Sequence, residues 1–474
     1  MSLMTEDPCR KILLLSPPGA HIYLRDYYCS HTSKARYYWG PFDLLVISGI
    51  LREAGCFQLQ ALDALLERLS PEETVRRVLA AEPDAIVFLT GAVSFTEDFG
   101  LLERIAQASP RTIRMIGTGD CMLAESQRFL EQYPFLDAAL LDFTSRDLVA
   151  YLRGGRDPLN NLSFRVPDGS LSLGPRQCER GEFSLPLPAY DLFDFKSYRI
   201  PHGRRVPFAG VLTDYGCAFR CDYCIGGELG FRLRNLDNLF EELRELKRRG
   251  VRELWIKDLT FGVKKPRTYE LLDRMRRERL GFSWVCLSRV NVLDEDLLRA
   301  MKAAGCHTIQ IGVESASEEI LEKYAKGIHP DQVRRVVETC RRLGIRILAH
   351  YILGLPGDTV ESIQRTIQYA IELNTEFASF NVAMPRLGTL FRQRAVESGL
   401  ISSDLKTLDN SISQPVFETS ELPRERLWAL RNEAIRAYHL RPAFIFKRLA
   451  GVRSGYEFST LFREGLSLLA TTFR

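Results

Sequence analysis

The sequence predicts an α/β protein: a doubly wound, Rossmann-like domain, then a partial (β/α) barrel, then a helical carboxy-terminal region. Three observations carry that prediction. Short apolar runs alternate with amphipathic helices from residue 11 to about 155, the alternation resumes near 206, and beyond about 400 only helical periodicity remains. A chain of 474 residues exceeds one ordinary core. The expected divisions are 1–155 for the Rossmann-like domain, 156–205 for a connector, 206–400 for the barrel and 401–474 for the helical tail.

The elements follow in order. Lys11–Ser16 is a strand closed by Pro17-Pro18-Gly19, and Phe42–Ala54 carries apolar residues at helical spacing before Gly55. Phe57–Leu62 is a second strand ending at Asp63, and Pro71–Ala81 is a helix with proline in its first turn. Ala85–Thr90, Thr112–Gly117 and Asp137–Leu141 are further strands, separated by helices at Phe99–Ala108 and Ala124–Gln132. Ser145–Leu152 is the last helix of this half. Turn chemistry then dominates, with a hairpin expected around Asp168-Gly169. Barrel strands are expected at Gly210–Thr213, Glu253–Lys257, Trp284–Leu287, Thr308–Val313, Arg346–Ile352 and Phe377–Val382. Leu236–Arg249, Asp294–Ala304, Pro330–Leu343 and Thr359–Leu373 are helices among them, and Leu427–Ala437 and Pro442–Leu449 are the clearest tail helices. Both αβ halves place ligands at the carboxyl ends of their strands.

Composition excludes several classes. Hydrophobic residues make up 45% and charged residues 26%, and the net charge is only +4, so no nucleic-acid partner is expected. The first apolar run, Ile12–Leu15, is too short for a leader or a membrane span, and a cytoplasmic protein is expected. Eleven cysteines, an odd number, argue against a disulfide framework. Cys56, Cys286, Cys306 and Cys340 stand beside apolar residues and read as small core residues.

Three cysteines are crowded into one loop after the first barrel strand: Gly216-Cys217-Ala218-Phe219-Arg220-Cys221-Asp222-Tyr223-Cys224. Thiolates hold iron–sulfur clusters, and three ligands for four irons leave one iron open to a substrate. No histidine or cysteine follows at zinc-finger distance, although a zinc site completed from elsewhere stays a rival. Ile309–Ser315 is a strand ending in Glu314, whose carboxylate over the barrel mouth can accept hydrogen bonds. Leu353-Gly354-Leu355-Pro356-Gly357-Asp358-Thr359 also reads as a helix start capped by Asp358 or Thr359. Arg289 follows the third barrel strand, and Asp258, Thr260 and Phe261 follow the second.

Cys-x3-Cys-x-aromatic-Cys, with Tyr223 in the aromatic place, resembles the signature of the radical S-adenosylmethionine superfamily. The preceding doubly wound domain resembles that of its cobalamin-binding subgroup. The resemblance covers residues 10 to about 400 and implies a [4Fe–4S] cluster on Cys217, Cys221 and Cys224. It implies S-adenosylmethionine contacts from Phe219, Tyr223, Arg289, Glu314, Ser315, Gly354 and Leu355. For cobalamin it implies the strand-end residues Pro18, Gly19, Asp63, Thr90, Gly91, Ser94, Gly117, Thr118, Gly119 and Asp120. The Asp-x-His-x-x-Gly motif for a lower cobalt ligand is missing, with His21 near its place, and Leu141-Asp142-Phe143-Thr144 departs from the subgroup's Gly-Glu-Gly-Glu. No catalytic side chain is assigned.

The implied activity is methylation of an unactivated carbon through a 5′-deoxyadenosyl radical and methylcobalamin. A cyclisation or rearrangement with the same cofactors, and a non-catalytic iron–sulfur electron carrier or scaffold, are the alternatives. The implied partners are a small-molecule substrate, hydrophobic by one reading, and an electron donor such as flavodoxin or ferredoxin. His31, Tyr27, Tyr28, Tyr37, Tyr38 and Trp39 form an aromatic segment suited either to a corrin or substrate channel or to packing on the barrel. His439, Arg441, Lys447, Arg448 and Arg453, interspersed with Phe444, Ile445 and Phe446, raise peripheral membrane contact as an expectation for the tail.

Overall fold

Continuous apolar strands at the centre of a parallel sheet need cover on both faces, and the first domain supplies it. The computed structural model describes residues 10–34, 37–155, 157–177, 181–404, 406–409, 414–419, 421–452 and 455–472. In chain order come β1 (Lys11–Ser16), β2 (Tyr23–Leu24), β3 (His31–Thr32), α1 (Phe42–Glu53), β4 (Gln58–Asp63), α2 (Pro71–Ala81) and β5 (Ala85–Leu89). Then follow α3 (Phe95–Ala108), β6 (Arg114–Thr118), α4 (Asp120–Gln132), β7 (Ala138–Leu140) and α5 (Asp147–Leu152). The sheet order is β4-β1-β5-β6-β7, all parallel, and every residue of β5 is buried.

The hairpin expected at Asp168-Gly169 is present as β8 (Leu162–Arg165) and β9 (Leu171–Ser172). It is added antiparallel to β7, so part of the expected connector completes the first sheet. Cys286, Cys306 and Cys340 are buried as expected, but Cys56 is exposed, where Arg153 Nε lies 3.4 Å from its sulfur. It sits past the helix end, beyond the reach of the apolar face.

The second domain has six parallel strands in chain order: β11 (Phe208–Val211), β14 (Glu253–Ile256), β15 (Ser283–Ser288), β16 (Cys306–Glu314), β17 (Arg346–Leu353) and β18 (Phe377–Val382). The sheet is open between β11 and β18, a partial barrel. Helices α6 (Leu236–Arg248), α7 (Lys265–Arg277), α8 (Glu295–Ala303), α9 (Glu318–Lys323), α10 (Pro330–Leu343) and α11 (Val360–Leu373) connect the strands. α10 shows why such helices stop and start where they do: Pro330 sits in the first turn and Gly344 closes the helix in the left-handed region. A small sheet of β10 (Glu182–Phe183), β13 (Phe231–Arg234) and β12 (Asp214–Gly216), unannounced in the sequence, flanks the cysteine loop. The tail is α12 (Leu390–Glu397), α13 (Arg424–His439), α14 (Pro442–Ala450) and α15 (Gly455–Thr472), and no helix among the described residues is long and apolar enough to cross a membrane.

The loop from β1 to α1 joins the two domains. Asp26 of this loop pairs with Lys257 at the end of β14, and both side chains are almost wholly buried (3% and 4% exposed). The Lys257 ammonium lies 4.0 Å from the Trp255 ring and within 5.6 Å of Trp39 and Phe42. Tyr27 stacks on Tyr215 at 5.6 Å beside the cysteine loop. Removing one partner of a buried pair strands the other charge in a dry interior. Lys257→Met is expected to lower stability by about 3 kcal/mol, read from the urea midpoint, while an exposed control, Lys265→Met, shifts it by at most about 0.5 kcal/mol.

Candidate active site

The cysteine loop hangs between β12 and β13. Its root is pinned by Cys217 N–H donating to Gly230 O at 2.9 Å, and Gly216 has φ 79°, where an added Cβ would lie 1.8 Å from Gly230 O. Only glycine fits that approach. Asp258 at the carboxyl end of β14 holds the approach to the loop, accepting from Thr213 N at 2.7 Å, Thr213 Oγ1 at 2.5 Å and Asp214 N at 3.0 Å. Asp258 is therefore a clamp on the loop. Thr260 Oγ1 lies 3.5 Å from Cys217 Sγ, and Phe261 N–H donates to Leu287 O.

Cys224 Sγ accepts from Gly226 N at 3.3 Å, and a Cβ on Gly226 would lie 3.3 Å from Cys224 Sγ and 3.4 Å from the Cys217 Cβ. Two of the thiols thus flank one glycine, while Cys221 Sγ accepts from Arg289 Nη1 at 3.1 Å. Among the described residues no three His, Cys, Asp or Glu side chains form a group that could share one metal ion. Burial pushes the Cys224 thiol up to about 12.

Glu314 ends β16 with φ 65°, in the left-handed region, at a register shift against β17. A non-glycine residue held there is strained, and such strain concentrates at functional sites. The turn folds the carboxylate back over Gly312, where an added Cβ would lie 2.1 Å from Glu314 Oε1. Lys326 Nζ donates to Glu314 Oε1 at 2.7 Å, and the Lys326 carbonyl accepts from Arg289 Nη2. Arg289 also lies 4.1 Å over the Phe219 ring. Phe219, Cys221, Arg289, Glu314 and Lys326 therefore form one connected patch at the barrel mouth, and the buried Tyr223 hydroxyl near them has no hydrogen-bond partner.

Other residues expected at the site engage groups of the chain itself. Ser315 is turned to the helical layer, 3.3 Å from Thr366 Oγ1 of α11. The Gly354 and Leu355 N–H groups donate to Asp358 Oδ2 at 3.0 and 3.2 Å, and Thr359 caps α11. In the first domain, buried Arg25 gathers Pro17 O, Pro18 O, Ser94 Oγ and Asp98, while the Thr90 hydroxyl donates to Asp98. Asp120 accepts from Ser30 N, Ser30 Oγ and Ala92 N, and Gly91 lies tight against Ser30. Gly119 has φ 123° close to Thr90 O, Thr118 O accepts from Thr90 N, and Gly117 packs against Met122 and Phe88. Gly19 packs on Tyr23, and Asp63 accepts from the Tyr198 hydroxyl of the connector at 2.7 Å. These ten residues do line the carboxyl edge of the first sheet, but most of their polar groups serve one another.

What faces the barrel mouth is the aromatic segment. Tyr27 Oη, Trp39 Nε1, Trp255 Nε1, both Asp43 oxygens and Arg386 Nη2 are buried there without hydrogen-bond partners. Such orphans are rare in native interiors and costly, so a group of them marks the place of a polar ligand or water. Donors and acceptors of this mixture suit the amide arms of a corrin. Lys34, Asp26, Lys257, Lys326, His350 and Arg386 went unnoticed in the sequence. Only Lys257, at a barrel strand end, carried a positional signal. A small aromatic cavity of about 40 Å³ lined by Trp39, Phe42, Tyr190, Phe208 and Trp255 lies against Lys257.

A parallel barrel with a three-cysteine loop after its first strand defines a cluster-binding α/β enzyme class. Residues 211–370 match the radical SAM superfamily model, and the chain carries a radical SAM domain. It is 29% identical over 416 residues to the uncharacterized methyltransferase PH0819 of Pyrococcus horikoshii, spanning 86% of this chain and 89% of that protein. It is 22% identical over 367 residues, 73% of this chain and 64% of the other, to the anaerobic magnesium-protoporphyrin IX monomethyl ester cyclase of Rubrivivax gelatinosus. Its fold is that of the radical S-adenosylmethionine methyltransferase TsrM from Kitasatospora setae, solved with cobalamin and a [4Fe–4S] cluster, with TM-score 0.67, 16% identity, and 97% and 99% of the two chains covered.

Two outcomes follow. Gly312→Ala is expected to displace the Glu314 carboxylate and weaken S-adenosylmethionine binding at least about tenfold, about 1.4 kcal/mol, with iron content unchanged, by equilibrium dialysis. His350, on β17, has its pKa lowered to about 4, chiefly by burial, with Lys34 and Lys326 adding to it. The unfolded chain takes up that proton below about 6.5 and the folded chain does not, so stability present above pH 6.5 falls as the pH drops toward 4. Urea midpoints at pH 7 and 5 should differ by about 2 kcal/mol more in the parent than in His350→Gln.

Proposed function

We propose that this chain is a cobalamin-dependent radical S-adenosylmethionine enzyme that methylates a poor nucleophile, an unactivated carbon in the simplest case. The observation that carries the reading is the three-thiol loop facing the strained Glu314–Lys326–Arg289 patch across the barrel mouth. Cys217, Cys221 and Cys224 would hold the cluster, whose remaining iron would be open to S-adenosylmethionine. Glu314 accepts from its amine, and Arg289 and Lys326 balance its carboxylate. Phe219 supports Arg289 from below by stacking. The aromatic segment and Arg386, with their unpartnered donors, hold the corrin between the domains. When bound, the cluster and S-adenosylmethionine supply a 5′-deoxyadenosyl radical and cobalamin supplies the methyl group. The side chains orient these groups and exclude water.

A methyl-free cyclisation or rearrangement is the second reading, favoured by the likeness to the anaerobic cyclase. The substrate is a small molecule, hydrophobic by one reading. An electron donor of the flavodoxin or ferredoxin type reduces the cluster. The tail's cations are turned inward: Arg441 donates to Ile371 O, Lys447 to Asn374 O, and Arg448 pairs with Glu464. Arg453 lies outside the described residues. Ile445, Phe446, Leu449, Phe458, Phe462 and Leu466 remain exposed, so any peripheral membrane contact is apolar rather than electrostatic.

Anaerobic reconstitution should give about four irons per chain and stoichiometric cobalt, and 5′-deoxyadenosine on reduction with S-adenosylmethionine. Each of Cys217→Ala, Cys221→Ala and Cys224→Ala should abolish the nucleoside. Iron without cobalt would sink the methyl-transfer reading, and no nucleoside from the parent would sink the radical one. Deuterium from labelled methyl groups in the product separates methylation from cyclisation.

A further inference from the structure

The last helix of the tail is folded inside out. A surface helix turns its apolar stripe to the protein and its charges to water. In α15 the two carboxylates face inward: Glu457 lies 3.8 Å from Arg204 and 3.7 Å from Arg346, and Glu464 pairs with Arg448 at 3.0 Å. Phe458, Phe462 and Leu466, each about one turn from the next, are instead 55%, 62% and 53% exposed. Ile445, Phe446 and Leu449 of α14, the helix that carries Arg448, are exposed as well. Large apolar side chains exposed as a group, rather than singly, mark a surface that meets something other than water.

Arg463, the residue after Phe462, lines an open cavity of about 730 Å³ between α15, the connector and the carboxyl edge of the first sheet. Tyr37, Tyr38, Tyr198, Arg68 and Arg199 line it too, and its size is that of a ligand site. The Arg68 guanidinium lies 5.6 Å over the Tyr38 ring. Among the described residues the guanidiniums of Arg68 and Arg463 make no hydrogen bond or ion pair, and Arg199 donates only Nη1, to Lys196 O and Tyr198 O. The carboxylates of the cavity are already engaged. Glu67 pairs with Arg77 at 2.6 Å, Asp63 accepts from the Tyr198 hydroxyl at 2.7 Å and from Leu66 N at 3.1 Å, and Asp194 accepts from Ser197 Oγ. Burial also raises the Asp63 pKa and so favours its neutral form. The concave surface presents more guanidinium than carboxylate, the chemistry that recognises a phosphate.

We propose that α14 and α15 dock on a lipid bilayer and that the cavity takes the anionic head group of a membrane phospholipid. Stripe and cavity meet at Phe462-Arg463, so a lipid whose head lies among Arg68, Arg199 and Arg463 has its chains beside Phe458, Phe462 and Leu466. Burial of the stripe supplies the affinity, and the guanidiniums select the head group. A second copy of the chain fits this face less well. α14 has no carboxylate and those of α15 are turned inward, so a copy would set Arg463 against a face without a counter-charge. The same lack of outward carboxylates removes repulsion from an anionic membrane. The docking does not depend on the radical chemistry proposed above.

The test is co-sedimentation of the purified chain with vesicles of phosphatidylcholine alone or with phosphatidylglycerol added. The parent is expected to bind both, and the vesicles with phosphatidylglycerol at least about tenfold more tightly. Phe458→Ser combined with Phe462→Ser is expected to weaken binding to both at least about tenfold. Arg68→Gln and Arg463→Gln are each expected to cut the preference for phosphatidylglycerol about fivefold, whereas Arg299→Gln, at an exposed arginine of α8, leaves it unchanged. Unchanged thermal midpoints confirm that the variants are folded. No vesicle binding by the parent overturns the proposal, as does equal binding to the two compositions or an equal response to all three arginine substitutions. A parent dimer without vesicle affinity, dissociated by Phe462→Ser in sedimentation velocity, overturns it by giving the face to a second copy. Calorimetric binding of inorganic phosphate without vesicle affinity, lost in Arg463→Gln, overturns it by giving the cavity to a soluble anion.

Discussion

The buried pair between Asp26 and Lys257 is the interaction on which the arrangement of the site depends. It crosses from the first domain's loop to the end of a barrel strand. Taking both charges out of water is expensive, and the mutual attraction offsets the cost only when the geometry is tight and other groups assist. Here Trp39, Phe42 and Trp255 surround the ammonium, and Tyr27 N–H donates to Asp26 Oδ1 at 3.0 Å. An apolar pair could hold the domains equally well. What the ion pair adds is register, because a charge accepts only one partner in a dry interface. With Asp26 fixed, Tyr28, Cys29, His31 and Lys34 are carried to the barrel mouth by a short run of chain.

The cysteine loop shows a second kind of constraint. On the proposed reading the loop's thiols belong to a cluster, and its own side chains are then not available to hold its shape. The shape is therefore imposed from outside, by Asp258 gripping the backbone ahead of it and by Arg289 and Thr260 touching its sulfurs. Glycine supplies the remaining freedom at Gly216, where any side chain would collide with Gly230. Glu314 is the counterpart on the far side of the mouth. Its strained backbone is held by the β16–β17 ladder on one side and by Lys326 on the other.

Much of the fold was legible in the sequence because period and punctuation agree. Lys11–Ser16, Pro71–Ala81 and Phe377–Val382 fall where apolar runs and their flanking breakers place them. The small sheet around the cysteine loop was not legible, since strands of two to four residues have no period to detect. The cysteine loop and the strand-end positions of Arg289 and Glu314 were legible in the sequence. Ser315, one residue past the end of β16, lies 3.3 Å from Thr366 Oγ1 of α11, a contact that no sequence period announces. Lys326 was invisible for a different reason. It lies in a turn after a short helix, between Ala325 and Gly327, both at positive φ, and only the folded chain brings it to Glu314.

The interface between the domains carries a further lesson about energy. Each buried polar group without a partner costs about 1 to 3 kcal/mol, against a total stability of about 5 to 15 kcal/mol for a typical domain. Tyr27, Trp39, Asp43, Trp255 and Arg386 together would consume much of that margin if nothing met them. Asp43 lowers its own cost, because burial raises its pKa well above the usual carboxylate range and so favours its neutral form. Arg386 has no such escape, since a guanidinium stays charged. The cation that cannot neutralise itself, held at the junction of both domains by Ser30 O, is the group whose burial costs this interface most.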